Sequence, residues 1–313
     1  MFSLFSLCLI IVTINPNVAN FLRDALSLQE YQYGRLIALL IISNIFLLFF
    51  SFYTKSKVEN IRLQFDKLVR NMGTRDLEKN VEVEGKIKPI MIIIPAYNEA
   101  ENLRDILPRI PDQIYGVDVR ILVIDDGSDD DTSTVASEAG GWVVKNPINR
   151  GGGAALRMAY DILKKSSAQL CITMDGDGQH QPEETHKLVR PIIKGQYDFV
   201  IGSRILGHME KDSFFRLMGV RIFGAIISIL LGKKITDPSS GFRAFKTNCL
   251  SEISLYEDQY HTSELIIDAT KKGMRIGEVP ITILKRKYGK SKKGNPWKYG
   301  LNFAKTIIKT WWR

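Results

Sequence analysis

Cysteine is scarce in this chain of 313 residues, which contains only Cys8, Cys171 and Cys249. An odd number of widely separated cysteines provides neither a disulfide framework nor a cysteine metal site, and this suits a reducing compartment. The four histidines also lack the spacing of metal ligands. Internal repeats and low-complexity tracts are absent, and the apolar fraction of 45% excludes a globally disordered chain.

Acidic residues are outnumbered, because 34 Asp and Glu residues face 43 Lys and Arg residues and leave a net charge of +9. Such an excess indicates an anionic partner, for which nucleic acid, anionic lipid and phosphorylated substrates are candidates. The sequence contains no recognisable nucleic-acid-binding module, and its basic residues alternate with membrane-type apolar segments. We therefore expect no nucleic acid, and expect lipid and phosphorylated substrates instead.

Residues 34–53 form one long apolar run in which only Arg35, at its edge, is charged. Twenty helical residues span about 30 Å, the thickness of a bilayer core, so this run predicts a transmembrane helix. Residues 2–14 are also apolar but short for a span, and we expect a helical hairpin within residues 1–53. A signal-peptide core is the alternative, although a basic start and a small-residue cleavage site are lacking.

The two flanks of the apolar run differ in charge. Residues 15–33 are close to neutral, with one Arg, one Asp and one Glu. Five basic residues follow the run: Lys55, Lys57, Arg62, Lys67 and Arg70. The positive-inside rule then predicts an integral membrane protein whose remaining residues lie in the cytoplasm. Residues 54–87 are predicted to form a basic amphipathic stalk over 54–72, or a solvated connecting helix, and then a polar linker over 73–87.

From residue 88 onward, short apolar strands alternate with helical stretches. The predicted strands are 89–94, 118–125, 142–144 and 169–175, and the predicted helices are 98–108, 131–140 and 151–165. This alternation predicts an α/β domain with βαβ units and a mostly parallel sheet flanked by helices. In such sheets ligands bind at the carboxyl ends of the strands, and polar motifs follow these strands here.

Two acidic motifs follow the first two strands: Pro95-Ala96-Tyr97-Asn98-Glu99 and Asp125-Asp126-Gly127-Ser128-Asp129. Acidic residues with small neighbours at a strand end suit hydrogen bonds to a nucleobase and a ribose. Asp130 and Asp131 are better interpreted as helix-capping residues, and Asp129 is open to either interpretation.

Two glycine-containing motifs come next: Asn149-Arg150-Gly151-Gly152-Gly153 and Asp175-Gly176-Asp177-Gly178-Gln179. The first opens a helix, where glycines let backbone amides approach a diphosphate. The second has two carboxylates around one glycine, which suits one Mg²⁺ or Mn²⁺ ion that also binds phosphate and water.

In this order and spacing, PAYNE, VIDDGSDD, NRGGGAAL and MDGDGQ closely resemble the motifs of family 2 glycosyltransferases with the GT-A fold, over residues 88–293. The resemblance implies a nucleotide-sugar donor and a Mg²⁺ or Mn²⁺ cofactor. It implies a nucleotide pocket formed by Pro95, Tyr97, Glu99, Asp125, Asp126 and Asp175. It implies a catalytic metal held by Asp175 and Asp177, with Gln179 as a further ligand.

The stretches GSR at 202–204, DPSSGFRAF at 237–245 and Arg286 with Gly289-Lys290-Ser291-Lys292 also resemble dolichol-phosphate mannose synthases and related polyprenyl-phosphate glycosyltransferases. This implies transfer of a hexose, from a donor of the GDP-mannose or UDP-glucose type, to a polyprenyl or dolichyl phosphate. Processive polysaccharide synthases carry a QxxRW motif, which this chain lacks. Residues 213–232 occupy the place of the family's interfacial helices, with insertion of 218–232 as the alternative, and residues 294–313 form a C-terminal amphipathic helix.

A lipid phosphate needs no strong general base, because its second pKa is about 6 and it is already largely anionic. Catalysis then requires positioning and charge stabilisation, and attack opposite the leaving group inverts the anomeric centre. The candidate catalytic cations for the attacking phosphate are Arg204, Arg243, Arg286 and Lys292. Residues 285–293, with six basic residues among nine, are predicted to form a mobile lid, or else a solvated loop.

The sequence also allows another kind of acceptor and other classes of protein. A glycan hydroxyl acceptor needs a general base, for which Asp237 and Glu264 are candidates. Glu264 is alternatively a residue that orients the acceptor or an arginine, or an ordinary surface carboxylate. A non-catalytic membrane scaffold that binds nucleotide-sugar is the alternative of another class, while the motif set argues against a nucleotidyltransferase. The expected partners are nucleotide-sugar, polyprenyl phosphate and membrane lipids, and self-association into a homo-oligomer is left open.

Overall fold

A computed structural model describes residues 11–12, 14–15, 17–29, 31–80, 89–210, 214–258, 260–289 and 296–313. The chain divides into two units, Met1–Lys67 and Leu68–Arg313. The first arm of the predicted hairpin, residues 2–14, lies almost wholly outside the described residues. Residues 290–293 of the predicted lid, which include Lys292, also lie outside them.

Within its described residues, the first unit contains helix α1, Val18–Ala25, and most of helix α2, Gly34–Asn80. Within α2 the stretch Gly34–Arg75 contains a window of mean hydropathy 2.4 that is only 6% buried, so it is long and apolar enough to cross a membrane. The helix predicted over residues 34–53 is confirmed, while its insertion in a bilayer stays a prediction.

The predicted linker over residues 73–87 is wrong for its first part, since α2 continues to Asn80. Tertiary packing explains the longer helix. Val69 is 2% exposed, and the Arg70 guanidinium donates to Asp161 at 2.7 Å. A Cβ atom on Gly73 would lie 2.7 Å from the sulfur of Met158, so this glycine allows close contact.

The second unit is built on an eight-stranded sheet. The strands are β1 Ile90–Ala96, β2 Gln113–Ile114, β3 Val117–Asp125, β4 Trp142–Lys145, β5 Leu170–Thr173, β6 Phe199–Met209, β7 Arg243–Lys246 and β8 Ile276–Ile283. Their order is β2-β3-β1-β5-β7-β6-β8, and β4 pairs with β3 as well. The pairs β1/β3, β1/β5, β3/β4 and β6/β8 are parallel, and only pairs with β2 or β7 are antiparallel. The expected mostly parallel α/β sheet is confirmed.

Helices cover both faces of this sheet. They are α3 Ala100–Ile106, α4 Thr132–Glu138, α5 Gly152–Lys164, α6 Thr185–Ile193, α7 Phe214–Leu231, α8 His261–Lys271 and α9 Pro296–Trp312. Successive strand residues face opposite sides, so Met91 and Ile93 enter one core cluster while Ile90, Ile92 and Ile94 enter the other. A strand buried on both faces reads as a continuous apolar run, as β1 does.

One ion cluster joins the starts of β6 and β8 to the end of β7. Asp198 accepts hydrogen bonds from the Arg275 guanidinium at 2.9 Å and from the Lys246 amine at 2.8 Å. The hydrogen bonds from Arg275, followed by those from Lys246, hold the pKa of Asp198 well below its usual 3.8.

We expect Asp198→Asn to lower the unfolding free energy at pH 7 by about 1–2 kcal/mol, since it removes charge-assisted hydrogen bonds. The stabilisation by a carboxylate of lowered pKa is complete above its unfolded value and is lost as pH falls through its folded value. The difference between variant and wild type should therefore shrink below about pH 4. Thermal unfolding from pH 7 to pH 3 checks this, with the exposed Asp112→Asn as control. A pH-independent difference would contradict the assignment.

Candidate functional site

The carboxyl ends of β1, β3 and β5 meet at one edge of the sheet, because these three strands are neighbours and parallel. Ala96 near the end of β1 is paired with Asp125 at the end of β3. The acidic motifs predicted from sequence therefore come together here. Pro95 and Tyr97 lie half-buried beside them.

The two acidic motifs are tied to each other by their turns. Asn98 has φ of 52° and donates its backbone N–H to the Ser128 hydroxyl at 2.9 Å. Its side-chain oxygen accepts the backbone N–H of Asp129 at 2.9 Å. Asp130 accepts the N–H of Thr132 at 3.0 Å and that of Ala100 at 3.1 Å, at the starts of α4 and α3. Asp130 therefore caps with its side chain, as predicted, whereas Asp131 occupies the N-cap position of α4 without a side-chain capping hydrogen bond.

Asp125 is fully buried and receives local hydrogen bonds. It accepts the backbone N–H of Ser128 at 2.8 Å and the hydroxyl of Ser133. The amine of Lys145 lies 3.9 Å from the same carboxylate. These contacts fix the side chain at the end of β3, so its position is set before any ligand arrives.

Asp126 holds the turn of residues 149–153 between β4 and α5, here called the glycine turn. Its carboxylate accepts the Asn146 amide at 2.8 Å and the backbone N–H groups of Arg150 at 3.0 Å and Gly151 at 2.6 Å. Burial raises the pKa of Asp126, and these hydrogen bonds act in the opposite direction.

The glycine turn itself differs from its predicted role as a diphosphate cradle. The N–H of Gly151 is used by Asp126, and the N–H of Gly153 donates to the carbonyl of Asp258 at 2.7 Å. A Cβ atom on Gly153 would lie 2.2 Å from the carbonyl oxygen of Glu257. Glycine is required here for close backbone packing, so the prediction is wrong for these two amides.

Glu99 is joined to Arg286 across the site. Glu99 is 7% exposed, and the Nη2 of Arg286 donates to both of its carboxylate oxygens at 2.5 Å. The Nη1 of Arg286 lies 3.8 Å from Asp177, and its Nε donates to the carbonyl of Tyr288 at 2.7 Å. The structure thus brings one predicted cation next to predicted nucleotide and metal residues.

Asp175 and Asp177 lie on the turn that follows β5. Burial, followed by the charge of Asp175, raises the pKa of Asp177. Gly241 lies against this acid pair, and a Cβ atom there would be 2.3 Å from Oδ1 of Asp175. Gln179 donates its side-chain amide to the carbonyl of Leu284 at 3.0 Å, so it ties this turn to the start of the basic stretch.

The donor set of this turn fits a divalent cation. Two crowded carboxylates provide hard oxygen ligands and repel each other until a cation lies between them. Across the described ranges, no group of three or more His, Cys, Asp or Glu side chains is arranged to hold a metal alone. Mg²⁺ and Mn²⁺ sites of this kind use a few carboxylates and complete their coordination with water and substrate phosphate.

His180 supports the same turn and was not identified from the sequence. Its Nδ1 accepts the backbone N–H of Asp175 at 3.2 Å, and its ring stacks on Phe242 at 5.0 Å between centroids. Burial lowers its pKa, while the charges of Asp175 and Asp177 act in the opposite direction. The sequence signal was only the position of His180 directly after the acidic motif. Position alone does not distinguish a histidine that supports the turn from one that is there by chance.

Arg204 and Asp237 form a buried ion pair beside His180. The Arg204 Nε donates to Asp237 at 2.6 Å, and its backbone N–H donates to the same oxygen at 3.2 Å. Asp237 is fully buried, so this candidate general base is already engaged. Within the described part of the chain, the two terminal nitrogens of Arg204 have no hydrogen-bond partner.

Arg243 differs from the expectation that it grips a phosphate. It is 1% exposed, and its guanidinium donates to the carbonyls of Ser240 at 2.7 Å, Thr262 at 2.7 Å and Pro238 at 3.0 Å. Burial lowers its pKa to about 10. All three nitrogens are occupied by backbone, so the prediction of phosphate contact is wrong and Arg243 instead holds the loop that carries Gly241.

Glu264 is not a surface carboxylate, because it is fully buried. It accepts the backbone N–H groups of Tyr256 at 3.1 Å and Glu257 at 2.9 Å, and the Arg313 guanidinium at 3.1 Å. Among the predicted roles of Glu264, this arrangement agrees with a residue that orients an arginine, here Arg313.

We expect Gly241→Ala to displace Asp175, since its new Cβ atom would occupy the position beside Oδ1. The affinity for Mn²⁺, measured from the electron paramagnetic resonance signal of free Mn²⁺ in the presence of GDP or UDP, should fall by at least about tenfold, or 1.4 kcal/mol. Gly219→Ala is the matched control, because nothing lies within 4 Å of a Cβ atom at that position. Unchanged Mn²⁺ affinity in a folded Gly241→Ala protein would contradict this assignment of the acid pair.

Known proteins resemble this chain in sequence and in fold. The family described as Glycosyl transferase family 2 matches residues 91–254. The chain is similar to the UDP-N-acetylglucosamine–dolichyl-phosphate N-acetylglucosaminyltransferase of Methanococcus voltae, at 32% identity over 66% of this chain and 90% of the relative. It is similar to the polyprenol monophosphomannose synthase of Mycolicibacterium smegmatis, at 33% identity over 64% of this chain and 80% of the relative.

Solved structures resemble this chain over most of its length. Glucosyl-3-phosphoglycerate synthase from Mycobacterium tuberculosis, in a complex with Mn²⁺ and uridine diphosphate, superposes with a TM-score of 0.57 over 71% of this chain and 80% of that one. The sequence identity is 21%, so this likeness shows the fold alone. The GT-A fold expected from the sequence is confirmed.

Proposed function

We propose that this chain, which belongs to glycosyl transferase family 2 and is a glycosyltransferase, transfers a hexose from a nucleotide-sugar to a polyprenyl or dolichyl phosphate. The observation that carries the proposal is the acid pair Asp175 and Asp177 on the turn after β5, with the Arg286 guanidinium 3.8 Å from Asp177. The charges of this pair and of Arg204 all act on His180, which directly follows the turn. An acid pair flanked by cations suits a reaction in which phosphate groups both leave and attack.

The nucleotide half of the donor binds to the ends of β1 and β3. Pro95, Tyr97, Glu99, Asp125 and Asp126 surround this part of the edge and are held by the hydrogen bonds described above. Rigid carboxylates suit the ribose hydroxyls and the nucleobase N–H groups, both of which are donors. The preorganised pocket costs little conformational entropy when the donor binds.

Asp175 and Asp177 would hold the divalent cation, Mg²⁺ or Mn²⁺, with Gln179 as a further candidate ligand. When bound, the cation neutralises negative charge on the departing diphosphate. His180 keeps the backbone of this turn in place through its bond to the Asp175 N–H. Arg286 adds a second positive charge on the side of Asp177, at 3.8 Å.

The acceptor phosphate is held by Arg204. Its Nε is fixed by Asp237, which aims the guanidinium while its terminal nitrogens stay available for phosphate oxygens. The anionic acceptor attacks the anomeric carbon opposite the diphosphate, so that the new bond forms as the old one breaks and the centre inverts. The phosphate carries its own negative charge, and no side chain needs to remove a proton.

The basic stretch that begins at Lys285 closes over the donor. Arg286 contacts Glu99, and the amine of Lys287 contacts Asp105 at 2.8 Å, so both cations join this stretch to α3 and its N-terminal turn. Lys292 belongs to the same stretch and is proposed as a further contact with phosphate. A segment tied by salt bridges opens and closes more readily than one buried by apolar contacts.

The reaction takes place at the cytoplasmic face of a membrane. Among the side chains that the structure describes, the large apolar ones exposed on α7 are Met218, Ile222, Ile226 and Ile229, spaced to share one helix face. Those on α9 are Leu301, Ile308, Trp311 and Trp312. These two helices pack together through Phe223 and Phe303 at 4.7 Å between centroids. Apolar faces with aromatic ends suit the lipid headgroup region, where a polyprenyl phosphate presents its phosphate.

A hydroxyl acceptor fits these residues less well. Both candidate bases are engaged: Asp237 by Arg204, and Glu264 by two backbone N–H groups and Arg313. The glycan-hydroxyl alternative would therefore require one of these buried pairs to separate, which costs several kcal/mol for a buried charge.

A transfer assay tests the reaction. Purified full-length protein with Mn²⁺ or Mg²⁺ is offered radiolabelled GDP-mannose, UDP-glucose and related donors with a polyprenyl phosphate. We expect label to enter the lipid phase with one donor. Asp177→Asn should reduce the rate by at least about a hundredfold and a chelator should abolish it, since charge stabilisation of this kind contributes 10²–10³.

Asp131→Asn is the matched control for that assay, because Asp131 is an exposed acid before α4 whose side chain makes no capping hydrogen bond, so the variant should retain full activity. Donor binding or slow donor hydrolysis without any lipid product would overturn the lipid-phosphate acceptor and move the search to hydroxyl acceptors.

We also expect Arg204→Lys to raise the KM for polyprenyl phosphate by about tenfold while the KM for the donor stays within twofold. Lysine retains the charge but loses the paired geometry of a guanidinium on phosphate, at a cost of about 1–2 kcal/mol. Steady-state kinetics with each substrate varied in turn check this. Equal changes in both KM values would contradict the assignment of Arg204 to the acceptor.

A further inference from the structure

Residues 255–258, here called the bridging segment, lie directly against the glycine turn. The carbonyl of Asp258 accepts the Gly153 N–H at 2.7 Å. Arg157 of α5 donates to the carbonyl of Glu257 at 3.1 Å and to the carboxylate of Asp258. The space is so narrow that a Cβ atom on Gly153 would overlap the Glu257 carbonyl. A movement of the bridging segment therefore changes the turn that packs on it.

The other side of the bridging segment is held by one buried carboxylate. Glu264, in the first turn of α8, accepts the backbone N–H groups of Tyr256 and Glu257. The carboxylate is fully buried, and the Arg313 guanidinium reaches it at 3.1 Å. The same guanidinium lies over the ring of Tyr256 at 4.4 Å. One cation thus contacts both the carboxylate and the segment that it holds.

These contacts form a short path from Arg313 to the nucleotide pocket. Glu264 joins Arg313 to the bridging segment, and the bridging segment joins the glycine turn through Gly153. The same turn donates the N–H groups of Arg150 and Gly151 to Asp126. Hydrogen bonds make the steps between segments, and the chain itself makes the steps within the bridging segment and within the glycine turn.

A buried carboxylate keeps its position only while its charge is compensated. Burial raises the pKa of Glu264, and the backbone N–H groups and Arg313 oppose that change. Without the guanidinium, the carboxylate either takes up a proton or moves toward water, and both changes weaken its hold on the Tyr256 and Glu257 N–H groups. The bridging segment would then be less firmly held.

We propose that Glu264 and Arg313 are positioning residues for the nucleotide half of the reaction, because they hold the bridging segment against the glycine turn and thereby keep Asp126 in place. This inference rests on the proposed nucleotide pocket. Neither residue touches substrate, so the effect concerns donor binding and leaves the bond-forming step intact.

The test compares Arg313→Ala, Arg313→Lys and Glu264→Gln with Lys305→Ala. Lys305 is an exposed cation on α9, the helix that Arg313 directly follows, and makes no hydrogen bond or ion pair with the bridging segment within the described residues, so it controls for loss of charge. Full-length protein in detergent with Mn²⁺ is titrated calorimetrically with GDP and with UDP. Arg313→Ala should raise the Kd of the nucleotide that wild type binds by about tenfold, and Arg313→Lys should recover part of the affinity.

Hydrogen exchange supplies a second readout that needs no ligand. Peptides covering residues 150–158 and 254–258 should exchange faster in Arg313→Ala and Glu264→Gln than in wild type, while peptides from β1 and β5 stay unchanged. A general loss of stability would instead accelerate exchange throughout the second unit and lower the thermal midpoint. That pattern would overturn a positioning role. If Glu264→Gln fails to fold, the comparison of Arg313→Ala with wild type still tests the proposal.

The possible failures are distinguishable. If wild type binds neither GDP nor UDP, the nucleotide pocket is wrong and this inference falls with it. If wild type binds a nucleotide and all variants bind it equally, with unchanged exchange at residues 150–158, only the positioning role is overturned.

Discussion

Crowding of carboxylates at one buried edge of the sheet is the constraint on which the rest of the site depends. The carboxylates concerned are Glu99, Asp125, Asp126, Asp175, Asp177 and Asp237. Buried charge is tolerated only where hydrogen bonds or opposite charge compensate it. Asp125 and Asp126 are compensated mainly by backbone N–H groups, and Glu99 and Asp237 by arginines. Asp175 and Asp177 are the pair whose charges act on each other, which makes their turn the natural place for a cation.

The arginines of the site differ in how much of each guanidinium the fold already uses. Arg243 gives all three nitrogens to backbone carbonyls and is an internal brace. Arg204 gives its Nε to Asp237, which aims the remaining donors. Arg286 bridges Glu99 and Asp177 from a partly exposed stretch, and its contacts depend on the position of that stretch. Arginine therefore has three roles here, set by its hydrogen bonds. Arg243 stabilises a loop, Arg204 presents oriented donors, and Arg286 is a counter-ion on a partly exposed stretch.

Sequence patterns predicted the parts of this molecule that depend on local order. The strand β1, the acidic strand ends and the capping by Asp130 follow from periodicity and neighbours along the chain. The brace formed by Arg243 and the burial of Glu264 depend on contacts between distant segments, and a buried arginine has the same letter as an exposed one. The glycine turn misled for a related reason, because close packing and phosphate binding both demand glycine. The longer α2 likewise required knowledge of its packing on α5.

The distribution of hydrogen bonds also constrains the chemistry of the acceptor. A hydroxyl nucleophile must lose a proton, so it needs a carboxylate with free capacity to accept one. Asp237 and Glu264 are instead committed to guanidinium and backbone donors that hold the loops of the site. Releasing either one would disturb the very loops that position substrate. An acceptor that arrives already anionic removes this conflict, because it needs only a donor such as Arg204 and leaves every buried pair intact.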